Sequence, residues 1–290
     1  MSGRERYRRY GREHPRRRGR TLLWLVLILV MAGAVGLALA SNAFDEDDPA
    51  PAAQTSTVPA RRLLIREGLR REDVAALLDA QTTISGARYL MLTGPGPRGR
   101  ALARADRPTS LEGFLFPATY EITPGTAARD LVDEQIEAYQ ANTAGIDRGY
   151  ARARNLTRYD VLTIASMVER EVAVARERPI VAGVIYNRLK AGMRLDIDAT
   201  VQYAAGEWKP ELTAADLAIA SPYNTRLYAG LPPGPIASPG ADSIRASARP
   251  ARHNYLYYVA RNDGTGRHYF ASTPEQFEAD VARSRANAAG

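Results

Sequence analysis

Apolar residues recur at every third or fourth position in much of the chain, which is the spacing of helices with one buried face. Start and stop signals set the approximate ends of these helices. The predicted helices cover residues 71–81, 127–142, 160–177, 179–191, 241–248 and about 274–287.

Other segments have the patterns of strands and loops. A strand is predicted at 62–66, and a hairpin is predicted from 255–260 and 268–271, joined by the turn Asn262-Asp263-Gly264. Proline and glycine predict loops at 94–107 and 230–240. Strands and helices in this order are typical of an α+β fold.

The N-terminal part has a different pattern. Thr21–Ala40 is a run of 20 residues without charge, long enough for a helix to cross about 30 Å of hydrocarbon. Arginines precede it and the acidic residues 45–48 follow it, so the tail is predicted to be cytoplasmic and the rest extracytoplasmic. A cleaved signal peptide ending at Ala38-Leu39-Ala40 is the alternative. We favour a retained anchor because the apolar run exceeds the 7–15 residues of a signal peptide.

Composition then divides the chain into parts. The predicted parts are an arginine-rich tail (1–20), the membrane anchor (21–40), a linker (41–60), a small subdomain (61–105) and a larger domain (106–290). The tail holds nine arginines and two glutamates, and the remainder has 30 basic and 30 acidic residues. The formal charge of +7 therefore belongs to the tail, which argues against a nucleic-acid-binding domain.

One glutamate in the 160–177 segment is a candidate general acid. With about 100° per residue, Glu171 falls between Met167 and Ile164 in the apolar stripe, whereas Glu169 projects roughly 160° away. A carboxyl among apolar side chains has a raised pKa and can protonate a glycosidic oxygen. The alternative is a glutamate at the helix edge that pairs with Arg170 or Arg178.

The segment that follows the next helix brings two more carboxylates. In Met193–Thr200, strand-like alternation is predicted to bury Leu195 and Ile197 and to present Asp196 and Asp198 on the other side. The chain has no cysteine, and its three histidines are scattered, so no metal or thiol chemistry is predicted.

Several motifs in fixed order carry a resemblance to a known family. From residue 63 to 270, the chain resembles the YceG-like family of membrane-anchored endolytic murein transglycosylases. The motifs are Glu112-Gly113-Phe114-Leu115-Phe116-Pro117, Ala165-Ser166-Met167-Val168-Glu169-Arg170-Glu171, Tyr186-Asn187-Arg188-Leu189, Tyr223-Asn224-Thr225, residues 230–236, residues 239–244 and Tyr255-Leu256-Tyr257.

The resemblance implies a fold and a reaction. The expected fold is a larger YceG-like α+β catalytic domain behind a reduced small subdomain that resembles the LysM glycan-binding module. The expected reaction cleaves the bond between N-acetylmuramic acid and N-acetylglucosamine without water and leaves a 1,6-anhydro end. Glu171 corresponds to the family's catalytic glutamate, and no cofactor is expected. Expected partners are peptidoglycan strands, the membrane and peptidoglycan synthases (penicillin-binding proteins).

Seven further residues are candidates for substrate binding. Asp198 is the candidate for stabilising the developing positive charge, and the others could bind sugar hydroxyl or N-acetyl groups. For these others, a structural hydrogen bond is the alternative, and Glu112 could lie in a buried strand edge that ends at Pro117. The seven are Asp198, Asn187, Tyr223, Asn224, Thr225, Glu112 and His268.

Two departures from the family pattern leave other functions open. Asp196 stands where the family usually has glutamine, and Ala199 stands where it usually has proline. The rival functions are a hydrolytic muramidase with Asp198 as the base, and a catalytically silent peptidoglycan-binding scaffold.

Overall fold

The computed structural model describes residues 60–106 and 109–289. The first part contains strand β1 (Arg61–Leu64), helices α1 (Arg71–Gln81), α2 (Gly86–Thr93) and α3 (Pro97–Ala103), and strand β2 (Thr119–Ile122). Helices α4 (Ala128–Thr143), α5 (Gly149–Arg152), α6 (Arg158–Glu171) and α7 (Arg178–Lys190) follow. The last part contains helices α8 (Asp198–Ala205), α9 (Ala214–Leu217) and α10 (Ala241–Ala248), strands β3 (Tyr257–Ala260) and β4 (His268–Ala271), and helix α11 (Pro274–Ala289).

The predicted tail, anchor and linker lie outside the described residues. Across 60–106 and 109–289, no helix combines the length and the apolar character needed to span a bilayer.

The small two-stranded sheet of β1 and β2 anchors the first core. The strands are antiparallel, with Leu63 opposite Tyr120, and both of these side chains are buried. Helices α1 and α2 pack against each other, and buried residues of α4 join the same apolar cluster. The predicted division between residues 105 and 106 stays a prediction, although the pairing of β1 with β2 joins segments from both sides of it.

Helix α6 is at the centre of the second core. It packs against α7 and α10, and its residues Val161, Ile164, Met167 and Val168 are almost completely buried. The predicted apolar positions are buried, and so is every other residue from 161 to 168, so the helix is enclosed on all sides over this stretch. One end of this helix therefore has a fixed position, which matters because Glu171 is its last residue.

Most predicted elements are confirmed, and several coincide closely with the observed ones. Helices α1 and α10 have the predicted bounds, and α4, α7 and α11 lie within two residues of theirs. The hairpin of β3 and β4 is also confirmed, with Tyr258 opposite Phe270. Gly192 follows α7 with a φ of 66°, as expected for a helix-ending glycine.

Three predictions of local structure are wrong. Helix α6 begins at Arg158, with Thr157 as its N-cap, because Thr157 and Asp160 form a reciprocal capping box. It ends at Glu171 rather than at 177, since Val172 is extended, and a separate 3₁₀ turn covers Ala175–Glu177.

The second error lies near the small sheet, and the third is in residues 193–200, which are irregular up to Ile197 and helical from Asp198 instead of strand-like. Part of the predicted 94–107 loop is helix α3, which has Pro97 at its first turn, where proline is tolerated. The buried strand edge given as the alternative for Glu112 is not observed either, since residues 111–118 form turns and strand β2 begins only at Thr119, after Pro117.

Candidate functional site

Three consecutive side chains at the end of α6 lie in three different environments. Glu169 accepts a hydrogen bond from the backbone N–H of Gly240 at 3.1 Å and lies 3.7 Å from Arg178. Arg170 donates to the carbonyl of Gly68 at 3.2 Å. Glu171 instead faces an open cleft. The expected separation of Glu169 from Glu171 is therefore observed, and Glu169 is engaged in holding the fold.

The cleft around Glu171 has a volume of about 570 Å³ and is built from six segments, of which α7 contributes Arg188 and α11 contributes Phe277. The end of α6 forms one side, and the hairpin of β3 and β4 forms another. The remaining sides come from the segment that leads into α8 and from the loop after α9. The residues that line it are Glu171, Arg188, Arg194, Leu195, Asp196, Asp198, Arg226, Tyr257, Tyr258, Val259, Ala260, His268 and Phe277.

Glu171 is a partly exposed carboxyl at the end of a buried helix, and it faces mostly polar side chains in the cleft. Burial raises the pKa of Glu171 above its ordinary value, and the nearby charge of Asp198 raises it further. A hydrogen bond from the hydroxyl of Tyr258 to Oε2, at 3.0 Å, and the proximity of His268 act in the opposite direction on this pKa. The group is thus a carboxyl that retains its proton to higher pH than usual and has one oxygen held in place.

Tyr258 was not found by sequence analysis, although it donates to Glu171. Burial and the carboxyl of Glu171 raise the pKa of Tyr258, so its hydroxyl stays a donor. The register of the β3–β4 hairpin does indicate that Tyr258 lies near His268. Ala260 pairs with His268, so Tyr258 lies two residues from that position and on the same face of the strand.

Asp198 is the first residue of α8, and it lies in the same cleft. Its carboxylate accepts a hydrogen bond from the Nε of Arg226 at 2.6 Å, and both side chains are partly exposed. Arg226 was also missed from the sequence, although it directly follows the motif Tyr223-Asn224-Thr225. Asp198 therefore faces the cleft as a carboxylate whose charge is partly balanced.

Asp196, where the family pattern has glutamine, is accommodated by two arginines. Arg188 donates to its carboxylate at 3.1 Å, and the Nε of Arg194 lies 3.8 Å away. Asp196 has a φ of 51°, in the left-handed region that aspartate tolerates better than most residues. Leu195 and Ile197 are buried on either side, as predicted.

His268 reaches the cleft from strand β4 and has a buried carboxylate behind it. Its Nδ1 lies 2.8 Å from Oε2 of Glu177, in the 3₁₀ turn after α6. The same carboxylate accepts from the backbone N–H of His268 at 3.2 and 3.3 Å. The sequence pattern assigned Glu177 only to the longer predicted helix, so its contact with His268 was not predicted.

Three of the sequence-predicted binding residues hold backbone segments in the structure. The amide of Asn187 donates to the carbonyls of His253 and Tyr255, both at 2.9 Å. The amide of Asn224 donates to two carbonyls of the segment before it, at 3.0 and 2.9 Å.

Thr225, the third of these residues, is buried beside Thr200, with 2.8 Å between the two hydroxyl oxygens. Its hydroxyl also accepts from the backbone N–H of Ile197 at 3.0 Å. These hydrogen bonds agree with the structural alternative for Asn187, Asn224 and Thr225. Substrate binding by these three residues stays a prediction.

Glu112 and Tyr223 lie outside the residues that line the cleft. Glu112 is buried, accepts from the backbone N–H of Arg71 at 3.3 Å, and lies 3.8 Å from the Nε of that residue. Burial raises the pKa of Glu112 to about 8, against the opposing charge of Arg71. Tyr223 is half-buried, and its ring is tilted against that of Tyr203 at 4.7 Å between centroids.

Metal binding has no evident location in this part of the chain. Among the residues that the structure describes, no group of three or more histidine, aspartate or glutamate side chains is placed to hold a metal ion. The groups gathered at the cleft are carboxyl, hydroxyl, imidazole and guanidinium, which can transfer protons and bind polar ligands.

Comparisons with known proteins identify a family and several similar chains. The model of the YceG-like family matches residues 46–283. An endolytic murein transglycosylase of Streptococcus pneumoniae (strain ATCC BAA-255 / R6) is 37% identical over 225 residues, which are 75% of this chain and 40% of the relative. The corresponding protein of Bacillus subtilis (strain 168) is 40% identical over 156 residues, covering 53% of this chain and 43% of the relative.

A solved structure is also similar. A YceG-like protein of Listeria monocytogenes superposes with a TM-score of 0.67 at 33% identity, over 77% of this chain and 76% of that one. The chain spans less than half the length of the two curated relatives.

Proposed function

Because the chain belongs to the YceG-like family, we propose that it is an endolytic lytic transglycosylase of peptidoglycan, which is a carbon–oxygen lyase. The substrate would be the β-1,4 bond between N-acetylmuramic acid and N-acetylglucosamine inside nascent strands. The products would be strands with 1,6-anhydro-muramic ends, which cannot be elongated further. The names of the two curated relatives support the reaction class.

The observation that carries the proposal is the environment of Glu171. Its carboxyl opens on a cleft, its pKa is raised by burial, and one of its oxygens is held by Tyr258 at 3.0 Å. A general acid must carry a proton at the working pH and must reach the leaving group. The raised pKa of Glu171 favours the first requirement, and its place in the cleft favours the second.

The proposed reaction uses Glu171 twice. The protonated carboxyl gives its proton to the glycosidic oxygen of the departing N-acetylglucosamine, and the bond from that oxygen to C1 of the muramic acid breaks. The 6-hydroxyl of the same muramic acid then attacks C1, and its proton returns to Glu171. The carboxyl is restored, no water is consumed, and the number of atoms balances. One carboxyl suffices because the nucleophile belongs to the substrate.

The positive charge that develops on the sugar ring needs nearby negative charge or dipoles. We assign this role to Asp198, which lies in the same cleft as Glu171. The negative charge of Asp198 already raises the pKa of Glu171. His268 is the second cleft residue assigned to substrate binding. Glu112, Asn187, Asn224 and Thr225 would instead hold the surrounding segments, which agrees with their hydrogen bonds.

A hydrolytic muramidase is the alternative that a specific observation favours. Ordinary glycosidases use two carboxyl groups, and Asp198 and Glu171 line one cleft. Asp198 would then activate a water molecule. However, the carboxylate of Asp198 already accepts a hydrogen bond from the Nε of Arg226 at 2.6 Å, so one of its oxygens is engaged and less available to a water molecule.

The setting of the enzyme is also part of the proposal. Residues 21–40 would anchor the chain in the bacterial inner membrane, with the arginine-rich tail in the cytoplasm and the cleft outside. Growing peptidoglycan strands and the penicillin-binding proteins that synthesise them would be its partners there. The uncharged 20-residue run and the family membership support this setting.

Muropeptide analysis of Glu171→Gln tests the function. Nascent glycan strands are incubated with the full chain, wild type or variant, and the products are identified by mass spectrometry. We expect anhydro-muramic ends from the wild type and a loss of roughly 10²- to 10⁴-fold in the variant, since glutamine cannot donate the required proton. Reducing ends from the wild type would instead indicate hydrolysis.

Glu169→Gln is the matched control, because it lies on the same helix and changes the same chemical group. Glutamine at 169 retains an oxygen for the N–H of Gly240, so the fold and the activity should persist. Equal losses in both variants would mean that Glu171 has no special role. Absence of cleavage by the wild type, while an established transglycosylase digests the same strands, would favour the silent scaffold.

A further inference from the structure

His268 lines the cleft beside Glu171 and forms a buried pair with Glu177, and neither residue transfers a proton in the reaction assigned to Glu171. Only 5% of Glu177 and 9% of His268 is exposed, and the imidazole Nδ1 lies 2.8 Å from the carboxylate. Burying a carboxylate is costly unless it is well paired. Here it accepts from the ring and from the backbone N–H of the same residue, so it holds His268 at two points.

This contact sets which ring nitrogen carries the hydrogen. An ionised carboxylate can only accept, so Nδ1 of His268 must be the donor. In the neutral ring, Nε2 then has a free lone pair. The described residues offer Nε2 no hydrogen-bond partner, and the ring lines the cleft that contains Glu171. Nε2 is therefore the polar atom that His268 has available for a ligand.

The other histidine in the described part of the chain has the opposite arrangement. Nε2 of His253 lies 2.9 Å from the carbonyl of Ile180, and its Nδ1 accepts from the backbone N–H of Tyr255 at 3.1 Å. A carbonyl only accepts, so the hydrogen of His253 is on Nε2. The two rings differ in tautomer because their partners differ, and His253 provides an internal reference for measuring His268.

We propose that Glu177 is a positioning residue that holds His268 in the Nδ1–H tautomer, so that Nε2 accepts a hydrogen bond from a donor group of the glycan in the cleft. The proposal rests on the proposed function for the identity of the ligand. It assigns to Glu177 a role in substrate recognition and to His268 a defined hydrogen-bond polarity.

The polarity limits which groups of the sugar can bind. A lone pair at Nε2 selects a hydroxyl or the N–H of an acetamido group, whereas the carbonyl oxygen of the acetamido group is repelled. N-acetylated sugars carry both kinds of donor. The carboxylate of Glu177 ensures that the acceptor stays on the cleft side of the ring.

Glu177→Gln is a sharp test because it preserves the shape of the side chain and reverses its polarity. The introduced glutamine can keep its oxygen on the backbone N–H of His268 and place its NH₂ group against Nδ1. The ring must then carry its hydrogen on Nε2, which turns the acceptor in the cleft into a donor. ¹⁵N NMR of histidine-labelled full chain, recorded at rising pH until the ring signals no longer change, distinguishes the tautomers of the neutral rings without any need for activity.

We expect His268 to change from the Nδ1–H to the Nε2–H form in the variant, while His253 stays in the Nε2–H form. The KM for glycan strands should rise on the order of tenfold, with a smaller change in kcat, because a sugar donor then meets a ring donor. Thermal denaturation of both proteins checks that the fold persists.

Two outcomes would overturn the proposal. An unchanged tautomer would show that Glu177 does not control the ring, and a reversed tautomer with unchanged KM would show that Nε2 does not contact the glycan. If Glu177→Gln fails to fold, His268→Asn removes the atoms that reach the cleft and must raise KM to a similar extent. A failure of the proposed function is distinguishable, since the wild type would then produce no anhydro ends at all.

Discussion

Glu112 and Glu171 are both glutamates whose pKa values are raised chiefly by burial, yet their surroundings differ in what a ligand could reach. Glu171 lines an open cleft, and Tyr258 donates to one of its oxygens. Glu112 is enclosed, with Arg71 as its neighbour, and its Oε1 accepts no hydrogen bond from the described residues. A raised pKa is therefore insufficient to identify a catalytic acid, and access combined with orientation is the better criterion.

The cause of this difference lies in the local backbone. Glu171 is the last residue of α6, and the chain turns away at Val172, so the carboxyl is left at the edge of the core. The C-terminal end of a helix also disfavours negative charge, which helps the carboxyl to keep its proton. Glu112 is instead in a turn between two apolar residues of the first core, away from the cleft.

The largest effect that we expect from the difference between Glu112 and Glu171 is on the pH dependence of the free energy of unfolding. The pKa of Glu112 is about 8 in the folded chain and ordinary in the unfolded chain. Between about pH 5 and about pH 8, the folded state holds a proton that the unfolded state releases, so raising the pH favours unfolding. In that window, the free energy of unfolding of the wild type should fall by at most roughly 1.4 kcal/mol per pH unit because of Glu112. The Glu112→Gln variant should not show this decrease, because glutamine cannot titrate.

Thermal unfolding of wild type and Glu112→Gln at about pH 5, 6.5 and 8 measures this effect. The two midpoints should be closest at the lowest pH and diverge in favour of the variant as the pH rises. Parallel curves would mean that Glu112 titrates normally. A loss of transglycosylase activity as large as that of Glu171→Gln would remove the distinction between the two glutamates.

The fold was predictable from sequence wherever burial is periodic. Helix α1 buries Val74, Ala75 and Leu78 on one face, as this spacing requires, and its bounds were correct. The same rule failed at α6, because Val172 and Ala175 continue the apolar pattern through a break in the helix. It also failed at α3, where Gly99 packs so closely against the backbone of Thr109 that a side chain would not fit.

Sequence analysis named three residues that line the cleft, Glu171, Asp198 and His268, but missed the residues that hold them in place. Glu171 can be found from one helix, since its apolar neighbours are three and four residues away in the same segment. Tyr258, Glu177 and Arg226 act through contacts between segments that are far apart in the chain. Such contacts leave no periodic signal. Asn187, by contrast, has a side chain suited to ligand binding, but its amide donates hydrogen bonds to two backbone carbonyls.

A second prediction addresses the orientation of Glu171. Tyr258→Phe removes the hydrogen bond that stabilises the ionised carboxyl, so the pKa of Glu171 should rise further. Activity requires the protonated form and is lost as the pH rises through that pKa. The decline should therefore occur at higher pH in the variant, while the maximal rate falls about tenfold because the acid is weaker and less well oriented.

The pH dependence of anhydro-product formation checks this expectation, with Tyr257→Phe as a control on the neighbouring residue for changes in strand β3. A reduced rate without any movement of the alkaline limb would mean that Tyr258 has only a packing role. Movement to lower pH would contradict the direction of its effect on Glu171.

The smallest effect should come from the exposed pair at the edge of the cleft. Arg226→Gln removes the cation that lies 2.6 Å from Asp198, so the charge of Asp198 acts on Glu171 with less compensation. The pKa of Glu171 should rise, and the alkaline limb should move upward by less than in Tyr258→Phe. Because both partners are partly exposed, added salt should diminish the effect, whereas the contribution of burial to Glu171 and Glu112 is insensitive to salt. A shift that persists unchanged in high salt would place the Asp198–Arg226 pair in the same protected environment as Glu112, and the contrast between an open and an enclosed acid would no longer hold.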